Sequence, residues 1–251
     1  MRLTTVGTGA AAPDAHRVNA GHLVRAGDVH LLLDCGSGVV HRMAGIGADW
    51  SGITHLALTH FDADHVSDVA TLFVAWRWGQ LPPRTTPITV IGPPGTRALL
   101  DRLAAALWDK LLAPGYDVRV EELPPGATIV LGDVTLRSQK VPHTEESVAY
   151  SVEHDGRRLV YTGDTAPDDA LGTWAAACDV LLAECSLPDE MAVAAHLTPG
   201  RVGRLAAAAN PGRLVLTHFY PPVERVDVRA LVARHYRGPV ELAHDGWQIE
   251  I

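Results

Sequence analysis

A chain of 251 residues with 47% apolar content can bury a substantial core, and one domain spanning 1–251 is expected. A formal net charge of −8 works against loose attraction to polyphosphate backbones. Cys35, Cys178 and Cys185 form no CxxC pair, which argues against a disulfide framework or a thiolate zinc site. The N-terminal MRLTTVGTGA lacks the apolar segment of a secretory signal, and no apolar run nears the roughly 18 residues of a membrane span, so a cytoplasmic protein that engages no membrane is expected.

Short apolar runs alternate with Ala-rich helical stretches from end to end, the pattern of an α/β protein. Strands are expected at 3–6, 30–34, 54–58, 88–91, 134–141, 148–154, 158–162, 180–184, 214–217 and 240–243. Helices are expected at 39–46, 64–78, 96–112, 167–177, 199–208 and 227–236. Gly7-Thr8-Gly9 lacks the rest of a dinucleotide fingerprint and reads as a turn. Trp76 and Trp78, two apart on one expected helix, cannot share a face; one of them would stand in a substrate wall or a homodimer contact. Asp155-Gly156 tolerates the positive φ angles of a tight hairpin turn.

The stretch THFDADHVSD, residues 59–68, sets two histidines and three aspartates at the end of an expected strand. In extended chain, residues i and i+2 face one side, so His60 and Asp62 can grip one ion. Asp64 and His65, at a helix start, can grip a second. Two ions roughly 3.5–4 Å apart clamp the attacking and leaving oxygens of a displacement. LALTHF at 56–61 recurs as LVLTHF at 214–219, and LVYTGD ends in Asp164, so three strands deliver ligand-type residues at their C-terminal ends. In α/β sheets ligands bind at that edge. His143 in VPHT, Asp164 and His218 are the remaining candidates.

The order H-x-D-x-D-H, then H, D and H, resembles the metallo-β-lactamase superfamily, whose ligand order is HxHxDH, H, D, H. The resemblance runs from Gly7-Thr8-Gly9 and LLLDCGSG (31–38) to Ala243-His244-Asp245-Gly246, nearly the whole chain. Within the superfamily, AECSLPDEMAVAAHLTP (183–199) and RLVLTHFYPP (213–222) look like the ribonuclease Z branch. The resemblance implies a four-layer αββα sandwich and two divalent ions, zinc first and manganese or iron as alternatives. The ions would be held by His60, Asp62, Asp64, His65, His143, Asp164 and His218. It also implies Asp64 and His196 as catalytic residues, His196 protonating the leaving group. Asp34 would hold the His60 loop, and Glu184 would be buried support.

Two departures shape the expected activity. Asp62 replaces a histidine, which adds an anionic oxygen and shifts preference toward harder ions such as Mn²⁺. The long arm that tRNA-binding members carry between the third and fourth ligand segments is missing, because only twenty residues separate His143 from Asp164. The expected activity is therefore metal-hydroxide attack on a small or short phosphodiester, not precursor tRNA. Hydrolysis of carboxylic, thio- or sulfate esters, or ligand sensing by a degenerate metal site, are the alternatives.

Overall fold

Runs such as LLL at 31–33 and VLLA at 180–183 are apolar on both faces, which suits strands covered from both sides. The computed structural model, which describes residues 1–251, provides that cover with two sheets of seven strands. In the first, β1 (Arg2–Gly7), β2 (Gly21–Ala26), β3 (Val29–Leu33), β4 (His55–Ala57), β5 (Ile88–Gly92) and β6 (Val118–Glu122) lie side by side, with the last strand, Trp247–Glu250, beyond β1. In the second, β7 (Thr128–Leu131), β8 (Val134–Lys140), β9 (Val148–His154), β10 (Arg157–Tyr161), β11 (Val180–Glu184), β12 (Arg213–Thr217) and β13 (Val240–Leu242) follow in chain order, so Trp247–Glu250 is β14.

Period-two alternation splits each inner strand between two cores. Leu31 and Leu33 of β3, Val215 of β12 and Tyr161 of β10 belong to the cluster between the sheets. Leu32 instead packs outward with Met43, Phe73, Trp76 and Leu100, under α1 (Val39–Gly45), α2 (Ala63–Val66), α3 (Val69–Val74) and α4 (Thr96–Leu107). Leu214 and Leu216 pack outward against α5 (Asp169–Trp174), α6 (Pro199–Ala209) and α7 (Val228–Val232). The result is the expected four layers, helices, sheet, sheet, helices. No helix is long and apolar enough to cross a membrane.

One expected helix is broken. Residues 64–78 divide into α2, α3 and a π-turn at Ala75–Gly79. The Asp68 amide, which a continuous helix would give to Asp64, donates instead to the Cys35 carbonyl at 3.0 Å, while the Cys35 amide donates to His65 O at 2.8 Å. The loop after β3 is thus wedged into the helix. Trp76 is fully buried and Trp78 is 67% exposed, so the two indoles do take different faces. The β9–β10 hairpin turns at Asp155 and Gly156, both with positive φ (50° and 70°).

Candidate metal centre

The parallel strands of both sheets end at one edge, and the ligand-type residues stand there. His60 and Asp62 lie in the loop after β4, Asp64 and His65 in α2, and His143 in the β8–β9 loop. Asp164 follows β10, and His218 follows β12 directly. Asp164 lies between two groups. Its Oδ2 is 3.9 Å from Nε2 of both His60 and His143 and 3.3 Å from His218 Nε2, and its Oδ1 is 3.4 Å from His65 Nε2. Asp62 Oδ2 joins the first group, 3.6 Å from His60 Nε2 and 3.2 Å from His143 Nε2. Asp64 Oδ2 joins the second, 3.4 Å from His218 Nε2 and 3.9 Å from His65 Nε2.

Each of these four histidines is pinned through Nδ1, which assigns the proton there and leaves Nε2 for the centre. His65 Nδ1 donates to Asp34 Oδ2 (2.8 Å), and His60 Nδ1 donates to Thr59 Oγ1 (2.9 Å), whose hydroxyl proton goes on to Asp34. His143 Nδ1 donates to Ala195 O (3.1 Å), and His218 Nδ1 donates to Ser186 Oγ (2.9 Å). Asp34 is fully buried and also accepts from the Thr59 amide (2.8 Å) and the Tyr161 hydroxyl (2.8 Å), so one carboxylate orients both His60 and His65. Glu184 is equally buried. It accepts from Ser186 Oγ (2.6 Å), the Thr165 amide (2.6 Å) and His196 Nδ1 (3.1 Å).

The carboxylates and imidazoles of the centre interact strongly with one another. Burial pushes the Asp164 carboxyl up, but the His218, His65 and His60 rings more than offset it and hold it well below the usual carboxylate range. His60 and His143 likewise hold Asp62 low. Burial lowers His65, yet Asp164 and Asp34 on either side raise it well above an ordinary imidazole. His196 is lowered by burial but raised further by its bond to Glu184 and by the charges of Glu184, Asp164 and Asp64, to about 9. Two buried atoms at the centre, His60 Nε2 and Asp164 Oδ1, have no hydrogen-bond partner. Buried polar atoms are seldom left so. Imidazole nitrogens and carboxylate oxygens converging on such orphaned atoms fit divalent ions of the zinc and manganese kind.

The model of a beta-lactamase superfamily domain matches residues 30–219. The chain belongs to that superfamily. A ribonuclease Z of Mycobacterium sp. (strain KMS) is 32% identical over 275 aligned positions that cover 100% of this chain and 96% of the relative, which places this superfamily member on the ribonuclease Z-like branch, among metallo-hydrolases. The metallo-beta-lactamase fold protein YhfI from Bacillus subtilis superposes with a TM-score of 0.85 at 23% identity, covering 99% of this chain and 98% of YhfI. Human tRNase Z, short form, superposes at 0.81 and 24% identity over 100% and 99% of the two chains.

In this superfamily member the structure brings all eight residues singled out from the sequence, the seven ligand candidates and His196, to one edge. Of their supports, Asp34 and Glu184 are legible in the sequence and three others are not. Thr59, Tyr161 and Ser186 have no spacing that betrays a role, since each acts through one hydrogen bond across the fold. The repeated Thr-His-Phe misleads in part: Thr59 holds His60, whereas Thr217 Oγ1 is buried without a partner and His218 turns to Ser186.

Proposed function

We propose that residues 1–251 form one hydrolase domain that binds two divalent ions and cleaves a small or short phosphodiester. The observation that carries the reading is Asp164, whose two oxygens face both ligand groups. In this reading His60, Asp62 and His143 would hold one ion, Asp64, His65 and His218 would hold the other, and Asp164 would serve both. Two such ions supply Lewis-acid stabilisation of the charge on the attacking and leaving oxygens. Zinc is the first choice, with manganese or iron as alternatives, because Asp62 makes the donor set richer in anionic oxygen.

The remaining steps belong to side chains. Asp64 Oδ2 is turned to His218. Its other oxygen takes the proton of the attacking water as the new bond to phosphorus forms. His196 has Nδ1 fixed by Glu184. Its Nε2 delivers a proton to the departing oxygen as the old bond breaks, and the carboxylate of Glu184 favours the protonated ring that this step requires.

The substrate is small in this reading because two cations near the His143 and His196 loops are already engaged by backbone carbonyls. Arg201 is spent on the carbonyls of Val193 and His196, and Lys140 on those of Thr144 and Ser147. Beside the His60 and His143 loops lies a groove of about 330 Å³ lined by Phe61, Pro94, Pro125, Glu145 and Glu146, which is acidic. The alignment with the mycobacterial ribonuclease Z runs to 275 positions against 251 residues here, so the relative holds segments without a counterpart. The test is metal analysis of protein purified without added metal, joined to turnover of bis-p-nitrophenyl phosphate, p-nitrophenyl acetate and a thioester. Two ions per chain and preference for the phosphodiester support the reading. Preference for carboxylic esters or thioesters, or no turnover at all, overturns it.

A further inference from the structure

His218 has φ +60°, a left-handed conformation that is strained for a residue other than glycine and persists only where the surroundings impose it. Ser186 fixes the ring, but a ring bond does not fix the backbone. The backbone is held from both sides: near Ser186 the Cys185 amide donates to Thr217 O (2.9 Å) and the Tyr220 amide donates to Ser186 O (3.1 Å), and opposite them stand residues 8–10. The Phe219 amide donates to Thr8 O (2.9 Å), the Ala10 amide donates to Phe219 O (3.3 Å), and Gly9 and Phe219 form an isolated parallel bridge. Residues 185–186 are therefore one splint of His218, and the segment 8–10 is the second.

That splint is anchored on Asp245, whose side chain is 2% exposed. Asp245 Oδ1 accepts from the Thr8 amide (3.0 Å) and the Thr8 hydroxyl (2.6 Å), and Oδ2 accepts from the Val18 amide (2.9 Å) and faces Arg42 Nε (3.2 Å). Arg17 closes the arrangement. Its Nη1 donates to Thr8 Oγ1 (2.5 Å) and Ala243 O (2.8 Å), and its guanidinium lies 4.7 Å from the centre of the Phe219 ring. At Gly7 an added Cβ would sit 1.8 Å from the Asn19 carbonyl oxygen, so the glycine lets this segment pass against the residues that lead into β2.

We infer that Asp245 is a positioning residue for His218: acting through Thr8 and the Phe219 backbone, it holds His218 in the left-handed conformation that aims Nε2 at the centre. The Asp245 side chain makes no hydrogen bond or ion pair with any of the seven ligand candidates. The inference rests on His218 being a metal ligand, as proposed above.

The test is calorimetric titration of metal-stripped protein with Zn²⁺, comparing wild type, Asp245→Asn, His218→Ala and the double variant, with turnover set aside. Loss of a supporting partner typically costs about 10–100-fold in metal affinity. Asp245→Asn should weaken one of the two binding events by that factor and leave the other alone. In the His218→Ala background it should change nothing further, because the group it positions is gone. Should Asp245→Asn fail to fold, Thr8→Val, which removes only the hydroxyl between Asp245 and Arg17, should give the same one-sided loss. Equal weakening of both events, additive losses in the double variant, or an unchanged titration each overturn the inference. If wild type binds fewer than two ions, or His218→Ala still binds two as tightly, the ligand reading itself fails and the positioning role falls with it.

Discussion

Asp62 stands where the related pattern carries histidine, and its side chain is 50% exposed while its carboxylate faces His60 and His143. If it binds an ion, Asp62→His should raise affinity for Zn²⁺ relative to Mn²⁺. It should also move the basic limb of the pH–rate profile to lower pH, since one fewer negative charge eases loss of the attacking water's proton. Competitive metal titration read beside the pH profile checks this, and unchanged stoichiometry with unchanged selectivity removes Asp62 from the ligand set. At His196 the expected effect of substitution by glutamine is a loss of about 10²–10⁴ in turnover of substrates with poor leaving groups. The loss should be much smaller for p-nitrophenolate, which needs no proton to depart, and metal content should hold. An equal loss with both kinds of leaving group would mark a structural role. The same residue gives a pH prediction for metal-stripped protein. Its folded-state value of about 9 lies above the ordinary 6.5, so the stabilisation it brings is complete below pH 6.5 and fades as pH rises through about 9. Urea midpoints across that window should fall more steeply for wild type than for His196→Gln.

Among the elements, the loop after β3 does most to shape the site. Gly36 lies against α2 so closely that a Cβ there would be 1.9 Å from the Asp64 carbonyl oxygen. Gly36→Ala should therefore destabilise the fold by about 1–3 kcal/mol and, on the proposed ligand sets, weaken ion binding at Asp64 and His65 more than at His60 and His143. Thermal denaturation and metal titration check the two halves of that statement, and a variant with wild-type values for both contradicts it. This wedge also marks where the sequence stops being readable. Residues 64–78 carry helical periodicity, and nothing local reveals that Cys35 takes the bond of the Asp68 amide. Strands with apolar runs, such as β9 and β11, were legible to the residue because both their faces are buried. β2, β6, β7 and β14 were not, since GHLVRA opens on Gly-His and ends near Arg25, while VRVEE, TIVL and WQIE are short and leave alternate side chains to solvent. The ligand candidates were legible for a different reason: metal chemistry restricts residue types, and strand ends restrict position, whereas a supporting Tyr161 or Ser186 obeys neither restriction.

For the molecule as a whole, a net charge of −8 and the hairpin of β9 and β10 between His143 and Asp164 bear on what can dock. Precursor tRNA should be processed far more slowly than a small diester is cleaved, and the gap should narrow at low salt, where weak electrostatic binding is least screened. Comparable rates on a tRNA 3′ trailer and on bis-p-nitrophenyl phosphate would contradict that. Asp164 stands where the parallel strands of both sheets end, facing both ligand groups. Metal per chain, measured after exhaustive dialysis for wild type and Asp164→Ala, tests this most directly. Wild type should hold two ions tightly and Asp164→Ala should lose tight binding at both positions, whereas an alanine variant that keeps two tightly bound ions would overturn the shared role of Asp164.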